Sequence, residues 1–466
     1  MSSHGQNRDL GAILGELRVA GVRIVRVLFT DLHGIARGKD IPLSHFESAY
    51  QDGVAFSSSV LGTDLRQTQV VGGADGYPDL LVKPDLDTIR VAPDWRAGDP
   101  NEVKAAWCLG AAWTLDGTAT WPVCARSLLE RVVDRYADRD LRSIVGPELE
   151  FFLCERDPAA HGGLRRYVDE PSRASTVGPV SDPRELTARM LLWCDELGLH
   201  AHAANHEGMN SQYEINLKHS GAVDAADRAF MLKNAVKELA VREGLLATFM
   251  GRPFADQGGS GFHLHVSVAA EGRNVFGDAA GPDGVSPLAG SFIAGVLAHA
   301  PGLQALLGPT VNAYKRLVPD RLAPTHANWG IDNRTVFIRV PRESGSRARV
   351  EIRGGDGAAC AHLAIAAILS AGLDGLEREL VAPRPVAGDA YRLADAQAGP
   401  RLPADLGSAL DALEADTWLV EALGAELVST FLAVKRFEVA RFAEEVGALD
   451  VEVISAWELD EYAAHL

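Results

Sequence analysis

The chain has 466 residues, of which 47% are hydrophobic and 23% charged, enough for two or more domains and a large core. Its formal net charge of -18 excludes sequence-independent attraction to nucleic-acid backbones or anionic lipid, so neither nucleic acid nor membrane is expected as a partner. A cationic binding site in this chain would have to be local.

The cysteines and the apolar runs predict a cytoplasmic protein that meets small molecules. Five scattered cysteines form no C-x-x-C pair, which is typical of reduced, mostly buried thiols. The N-terminal "MSSHGQNRDL" lacks the apolar region of a signal peptide. The most apolar run, Cys360 to Leu373, is shorter than the about 20 residues that a membrane span needs, so it predicts a buried helix.

The N-terminal part predicts a small β-rich domain. β-Branched residues alternate with arginines from Leu17 to Phe29 and the turn sequence "TDLHGIARGK" follows, so we expect a strand and a hairpin. Between Asp52 and Pro100 the density of Gly, Asp and Pro predicts loops and short strands rather than helices. We place the end of this domain at residue 115.

The sequence of the second domain, residues 116–466, predicts an α+β layer structure. Helical spacing of apolar residues is found in "CARSLLERVVDRYADRDL", "DPRELTARMLLWCDELGL" and "AADRAFMLKNAVKELAVREG". Short strand-like runs alternate with these helices. The combination indicates an antiparallel sheet with helices over one side.

Two glutamates mark the first candidate site. "VGPELEFFL" alternates like a strand, so Glu148 and Glu150 project from the same face. Adjacent carboxylates repel each other, and a metal ion removes that cost. Taken alone, the pattern is more typical of a strand that faces solvent.

Two histidines repeat this spacing in "GGSGFHLHVSV". His263 and His265 share one face of a predicted strand, and Ser267 continues the row. The glycine-rich lead-in allows a ligand to approach the backbone closely. The segment predicts either a metal or nucleotide site or a pair of hydrogen-bonded core histidines.

Further carboxylates make a metal site the better interpretation. "NHEGMNSQYEINL" contributes Glu207 and Glu214, and "ARVEIRGGD" contributes Glu351. Five glutamates with one or two histidines are rich in oxygen ligands, which suit Mg²⁺ or Mn²⁺ better than zinc. We therefore expect two divalent sites.

Arginines supply the complementary charge. Guanidinium groups bind phosphate and carboxylate oxygens bidentately, and metals beside arginines suit phosphoryl transfer. No P-loop and no Rossmann glycine fingerprint is present in the sequence. The arginines concerned are Arg316, Arg334, Arg339, Arg349 and Arg353.

In these motifs the chain resembles the glutamine synthetase family, in its bacterial class I form. The resemblance runs in order through "DLHGIARGK", "GPELEFF", "NHEGMNSQYEINL", "GGSGFHLHVSV", "NAYKRLVP" and "RVEIRGGD". It implies an α+β fold with a small N-terminal β-grasp-like domain, residues 1–115, and a large catalytic domain, residues 116–466. It also implies a homododecamer whose active sites lie between subunits.

The resemblance implies roles for individual residues. One metal ion would be held by Glu150, Glu207 and Glu214, and a second by Glu148, His263 and Glu351. Nucleotide contacts are implied for His265, Ser267, Arg334, Arg339 and Arg349. Substrate contacts are implied for Gly259, Arg316 and Arg353, with Arg316 and Arg339 among the catalytic residues.

The implied reaction consumes ATP and joins L-glutamate to a nitrogen nucleophile through γ-glutamyl phosphate. Three positions depart from the family's pattern where that nucleophile is handled. Leu322 stands where ammonia-using members carry a flap glutamate, Ser57 where they carry an aspartate, and Gly258 where they carry an asparagine. Ammonium capture needs carboxylates, whereas a leucine contacts carbon, so we predict an amine other than ammonia.

Relatives with a changed flap are the γ-glutamyl-polyamine and γ-glutamyl-ethanolamide synthetases, and the sequence does not choose among such amines. Alternatively the carboxylate has moved: Asp320 could replace the flap glutamate, and Asp64 could act as the catalytic carboxylate in place of the missing aspartate. True glutamine synthesis and a catalytically weak regulatory or scaffold relative remain open. Tyr391 lies roughly where some family members are adenylylated.

Overall fold

The structure is a computed structural model and describes residues 8–96, 98–99, 102–169, 174–278, 281 and 284–466. The strands are β1 (Ile24–Thr30), β2 (Ala36–Pro42), β3 (Val54–Ser57), β4 (Asp79–Pro84), β5 (Arg90–Val91), β6 (Ala105–Trp113), β7 (Leu141–Arg156), β8 (Leu164–Arg166), β9 (Ala201–His206), β10 (Gln212–Leu217), β11 (Ser220–Gly221), β12 (Leu246–Thr248), β13 (Phe262–Ala270), β14 (Arg273–Asn274), β15 (Trp329–Ile331), β16 (Ile338–Val340) and β17 (Val350–Ile352). The helices are α1 (Leu10–Val19), α2 (Phe46–Asp52), α3 (Ala125–Ala137), α4 (Leu186–Cys194), α5 (Ala222–Arg242), α6 (Pro287–Ala298), α7 (Ala300–Leu307), α8 (Ala361–Glu377), α9 (Asp395–Ala398), α10 (Leu406–Ala415), α11 (Thr417–Leu423), α12 (Ala425–Glu445) and α13 (Ala456–Tyr462).

The first sheet has the strand order β2-β1-β6-β4-β3, with β5 on β6. The predicted hairpin is confirmed, since β1 and β2 pair antiparallel and Gly34 takes a positive φ of 76° in the connection. The strand prediction was wrong at its start, because Leu17 belongs to α1 and β1 begins at Ile24. Asp9 caps α1 and Leu14 and Leu17 are buried on one of its faces, so the helical period prevails there.

The second sheet positions the candidate site. Its order is β15-β16-β17-β13-β7-β10-β9, and every pair along this path is antiparallel except the parallel pair β15 and β16. The central strand β7 is 16 residues long and also pairs with β8, β11 and β12. The predicted α+β class is confirmed.

Helices predicted from apolar spacing are present as α3, α4 and α5. The apolar run from Cys360 to Leu373 forms most of α8, which is buried along nearly its whole length, as predicted. All five cysteines lie within the described residues and are buried free thiols. Within those residues no single helix is long and apolar enough to cross a membrane; the pairs α6 with α7 and α11 with α12 reach that length only together and are bent by 75° and 108°.

Candidate active site

Strand register gathers the predicted carboxylates and imidazoles on one face of the second sheet. Side chains of directly paired residues in neighbouring strands project to the same side, about 5 Å apart. The paired residues are His263 with Glu148, Glu214 with Glu150, and His265 with Glu351. Residues separated by about 200 positions therefore form one cluster.

Glu148 lies at the centre of this cluster. Its Oε1 is 2.9 Å from His265 Nε2, and its Oε2 is 3.6 Å from His263 Nδ1. Burial disfavours the ionised form of Glu148, but hydrogen bonds from the two imidazoles outweigh burial and lower its pKa. The same His263 nitrogen is 3.9 Å from Glu150 Oε1 and 3.8 Å from Glu351 Oε1.

Glu150 is oriented by neighbouring polar groups. Its Oε2 accepts hydrogen bonds from the Gly261 amide at 2.7 Å and from Gln212 Nε2 at 2.9 Å. Gln212 Nε2 also donates to the Gly259 carbonyl at 3.1 Å. The sequence prediction missed Gln212, although it precedes Glu214 by two residues on the same strand and the alternation that indicated Glu148 and Glu150 applies to it as well.

Glu207 and Glu214 have raised pKa values because they are buried and several carboxylates lie close together. Burial, followed by the charge of Glu148, raises the pKa of Glu214 to about 9. Burial and the charge of Glu150 raise the pKa of Glu207. Without a cation, the surroundings of Glu214 therefore favour its neutral form more than water does.

This donor set fits hard divalent cations such as Mg²⁺, because it is dominated by carboxylate oxygens that repel one another. Ligand atoms of Glu148, His265 and Glu351 lie within 4.8 Å of one another, and so do those of Glu148, Glu214 and His263. Glu148 thus belongs to both groups. The resemblance instead implies that Glu148 binds only one of the two metal ions, together with His263 and Glu351.

We expect Mg²⁺ to stabilise the protein and Glu214→Gln to lose most of that effect. The amide cannot replace a carboxylate ligand, yet it is neutral like the protonated acid, so stability without Mg²⁺ should not fall. Thermal unfolding with and without MgCl₂ measures the stability and the Mg²⁺ effect. For the native protein, the stabilisation should reach about 2.7 kcal/mol when the Mg²⁺ concentration is a hundred times the Kd. Glu421→Gln, at an exposed position of α11, is the matched control. An undiminished Mg²⁺ response in Glu214→Gln would contradict a role for this carboxylate.

The arginines surround the cluster. Arg339 Nη1 donates to Glu351 Oε2 at 2.6 Å and its Nη2 to Asp332 at 2.7 Å, and Arg353 pairs with the other oxygen of Glu351. Arg349 Nε lies 3.1 Å from His265 Nδ1. Arg334 is exposed on the loop before β16, and its charge adds slightly to the hydrogen bond from Arg339, which mainly lowers the pKa of Asp332.

A cavity of about 600 Å³ opens beside the cluster. Its lining includes Glu148, His265, Ser267 and Arg349. Imidazole, hydroxyl and guanidinium groups there could bind a polar, anionic ligand such as a nucleotide.

Arg316 and Gly259 are packed against each other. A side chain at Gly259 would clash with the backbone carbonyl of Gly251 and come within 2.9 Å of Arg316 Cγ and Cδ, so only glycine fits. Arg316 is 3% exposed and its Nη2 donates to the carbonyls of Arg353 at 3.1 Å and Gly355 at 2.6 Å. Its Nη1 is buried with no hydrogen-bond partner among the described residues, so one donor is left for a ligand oxygen.

Two other cations of "NAYKRLVPDRLAP" have structural partners. Lys315 is 2% exposed, and its Nζ pairs with Glu458 of α13 at 2.6 Å and donates to the Val453 carbonyl at 2.5 Å. Arg321 Nη1 donates to the Gln257 carbonyl at 3.1 Å. Sequence reasoning did not find Glu458, which lies 143 residues from Lys315.

Leu322 lies on the surface with an unusual backbone. Its side chain is 58% exposed and its φ is 54°, a left-handed conformation uncommon for leucine. Arg353 Nη2 donates to the Leu322 carbonyl at 3.2 Å, and the Tyr391 hydroxyl donates to the Ala323 carbonyl at 2.9 Å. The segment Asp320 to Ala323, here called the flap, is therefore tied to the cluster on one side and to Tyr391 on the other.

The alternative carboxylates are engaged elsewhere. Asp320 Oδ1 pairs with Arg392 Nη2 at 2.7 Å on the surface. Asp64 is 1% exposed, and its carboxylate pairs with Arg441 at 2.7 Å and accepts from the Thr68 amide at 2.7 Å. Asp64 is thus held in a buried ion pair with Arg441 of α12, and its role as a catalytic carboxylate stays a prediction.

Ser57 also has a local role. It ends β3, where its hydroxyl donates to Ser59 Oγ at 2.9 Å and accepts from the Ser59 amide at 3.3 Å. These bonds cap the turn that follows.

Comparison with known proteins identifies the family. Residues 122–454 match the family described as "Glutamine synthetase, catalytic domain". The glutamine synthetase of Methanocaldococcus jannaschii is 34% identical over 447 residues, which cover 93% of this chain and 95% of that protein. That of Thermus thermophilus is 32% identical and covers 97% of this chain and 98% of its own. The chain therefore belongs to the glutamine synthetase family and is a glutamine synthetase-like, ATP-dependent ligase.

Solved structures agree with this fold. The complex of GmaS with ADP in its conformation 1 is 31% identical, with a TM-score of 0.82, and the match covers 93% of this chain and 96% of that one. A crystal structure of a novel glutamine synthase homolog is 29% identical, with a TM-score of 0.81 and coverage of 95% and 99%.

Proposed function

We propose that this ligase joins the γ-carboxylate of L-glutamate to an amine other than ammonia. The observation that carries the proposal is Leu322, an exposed apolar residue in a flap that hydrogen-bonds to Arg353 of the cluster. Asp320, which could have replaced the flap glutamate, pairs with Arg392, and Asp64, which could have replaced the missing aspartate, is buried against Arg441. An apolar side chain at this position favours a nucleophile that carries carbon.

The same proposal assigns the rest of the site. Two Mg²⁺ or Mn²⁺ ions would be held by Glu148, Glu150, Glu207, Glu214, His263 and Glu351. Bound there, the ions supply positive charge to the phosphates of ATP. His265, Ser267, Arg334, Arg339 and Arg349 would line the nucleotide, which the ADP complex of GmaS supports by analogy. A homododecamer with active sites between subunits completes the proposal.

Among the protein side chains, the arginines would contribute most to stabilising the negative charge of the reacting groups. The γ-carboxylate attacks the terminal phosphorus of ATP, giving γ-glutamyl phosphate and ADP; the amine nitrogen then attacks the acyl carbon, phosphate leaves, and the nitrogen loses a proton. Arg339, which bonds to Glu351, would neutralise charge on the transferring phosphoryl group. The free Nη1 of Arg316 would bind an oxygen of glutamate or of its acyl phosphate.

Ammonia is the second candidate nucleophile. The relatives in Methanocaldococcus jannaschii and Thermus thermophilus are named glutamine synthetases, and they match this chain over nearly its whole length. The two candidate functions differ only in the nucleophile, which is an amine in one and ammonia in the other. One kinetic experiment therefore distinguishes them.

We expect an amine to exceed ammonia in kcat/KM when phosphate release is measured with glutamate, ATP and Mg²⁺. The panel contains ammonia, ethanolamine, putrescine, spermidine and n-alkylamines. Leu322→Glu should raise kcat/KM for ammonia relative to the best amine by about ten-fold, because the new carboxylate can bind ammonium while the apolar contact to the carbon of an amine is lost. Leu322 and glutamate are both unbranched at Cβ, so the left-handed backbone is equally tolerated.

Leu322→Gln is the matched control, since it has the shape of glutamate without the charge. It should not favour ammonia. The proposal is wrong if ammonia is the best nucleophile of the native enzyme, and the flap is not the determinant if Leu322→Glu and Leu322→Gln behave alike.

A further inference from the structure

We infer that Asp356 is the buried counter-ion of Arg316 and that its negative charge weakens the binding of glutamate. This inference rests on the proposed function, in which Arg316 Nη1 binds an oxygen of glutamate or of its acyl phosphate. Asp356 lies three residues after Arg353 and is 0% exposed. It does not touch the substrate, so it acts as a positioning residue through the guanidinium of Arg316.

The backbone brings the Asp356 carboxylate and the Arg316 side chain together. Arg316 Nη2 donates at 2.6 Å to the Gly355 carbonyl, which belongs to the same peptide group as the Asp356 nitrogen. A Cβ atom at Gly251 would overlap Asp356 Oδ2. A Cβ atom at Gly259 would overlap the Gly251 carbonyl and come within 2.9 Å of Arg316 Cδ. Glycine at both positions therefore allows the two charged side chains to pack closely on this backbone.

Each of the two side chains has one polar atom without a partner. Asp356 Oδ1 accepts from the Ala358 amide at 3.0 Å, whereas Oδ2 is buried and accepts no hydrogen bond from the described residues. Arg316 Nη1 is buried in the same way. The two opposite charges thus lie in the protein interior, where charges interact more strongly than in water.

Each charge influences the ionisation of the other. Burial lowers the pKa of Arg316, and Asp356 is the strongest of the neighbouring charges that oppose this effect. Burial raises the pKa of Asp356 to about 6, and the charge of Arg316 is the strongest influence in the opposite direction. Two other cations act on Asp356, but Lys233 donates to the Gly357 carbonyl and Lys435 pairs with a glutamate of α12. Of these three cations, only Arg316 is proposed to contact substrate.

The consequence is a lower affinity for glutamate. Asp356 compensates the charge of Arg316 when the site is empty, and the same negative charge repels the carboxylate or acyl phosphate that approaches Arg316. The KM for glutamate is therefore higher than Arg316 alone would give.

Asp356→Asn should lower the KM for glutamate by about ten-fold, because loss of one nearby buried charge changes a binding constant by roughly that factor. Asparagine has the same size and can still accept from the Ala358 amide. Asp356→Ser is a second neutral variant, whose hydroxyl can also accept from that amide, and its KM should fall as well. Phosphate release measures the KM for glutamate and for ATP, and the KM for ATP should change less than two-fold. Thermal unfolding should show a larger stabilisation by glutamate in both variants, independently of turnover.

Asp374→Asn is the matched control, since Asp374 is 1% exposed and pairs with His299 and Arg378 near the end of α8. It should leave the KM for glutamate unchanged. A KM that is unchanged or higher in both Asp356 variants would overturn the inference, because a purely structural carboxylate would not hold the affinity down. Arg316→Lys tests the proposed function separately: an unchanged KM for glutamate would contradict the role of Arg316. A native preference for ammonia would overturn the proposed nucleophile and leave the role of Asp356 intact.

Discussion

Glu150→Ala is expected to reduce phosphate release by about 10³-fold or more with every amine, since loss of several kcal/mol of charge stabilisation corresponds to that factor. Glu150 faces His263 at 3.9 Å and is held by the Gly261 amide and Gln212. Its removal takes one oxygen donor from the proposed metal site. It also leaves two buried donors without their acceptor, which should cost about 1–3 kcal/mol of stability.

Glu150→Gln separates the two effects, because the amide oxygen can still accept from the Gly261 amide. This variant should retain most of the stability and still lack activity. Glu155→Ala provides the matched control on the same strand, where Glu155 forms a partly exposed ion pair with Arg165 and such pairs contribute little. Phosphate release by Glu150→Ala within ten-fold of the native rate would exclude Glu150 as a ligand.

Lys315→Met is expected to lower the free energy of unfolding by about 3–5 kcal/mol, because it leaves a buried carboxylate without its cation. Glu458 is fully buried, and its carboxylate accepts hydrogen bonds from Lys315 Nζ at 2.6 Å and from Asn312 Nδ2 at 2.8 Å. The pair joins the segment before the flap to α13 near the C-terminus. Denaturant unfolding and thermal scans measure the loss.

The double variant Lys315→Met, Glu458→Gln should recover part of this loss, since neither charge is then buried alone. Arg436→Met is the matched control: its ion pairs with Asp411 and Glu414 are exposed, so it should have little effect. A cost below about 1 kcal/mol for Lys315→Met would show that Glu458 is satisfied without the lysine.

Local periodicity predicted much of the candidate site. Alternation placed Glu148 with Glu150 and His263 with His265, because a strand projects every second side chain to one face whatever its neighbours are. Pairing of these strands in the structure then brought the two sets within 2.9 to 3.9 Å. The resemblance supplied the order of the motifs, which periodicity does not contain.

Contacts between distant segments could not be predicted. Nothing in the sequence around Asp64 indicated its pairing with Arg441, which lies 377 residues away. Lys315 was indistinguishable in sequence from a ligand-binding cation for the same reason. At Leu17 the prediction was wrong for a local reason. The composition indicated a strand, but the cap and the buried face of α1 favour a helix there.

Arg353 joins two parts of the site through a single guanidinium, bonding Glu351 with one nitrogen and the Leu322 carbonyl with another. A substrate carboxylate that competes for Arg353 also removes a donor from the flap. Under the proposed function, binding of glutamate and the position of the flap would be linked, and linkage is reciprocal: whatever holds the flap in place would alter the affinity for glutamate by the same factor. In the proposed function, one guanidinium would thus couple the subsite for glutamate to the flap.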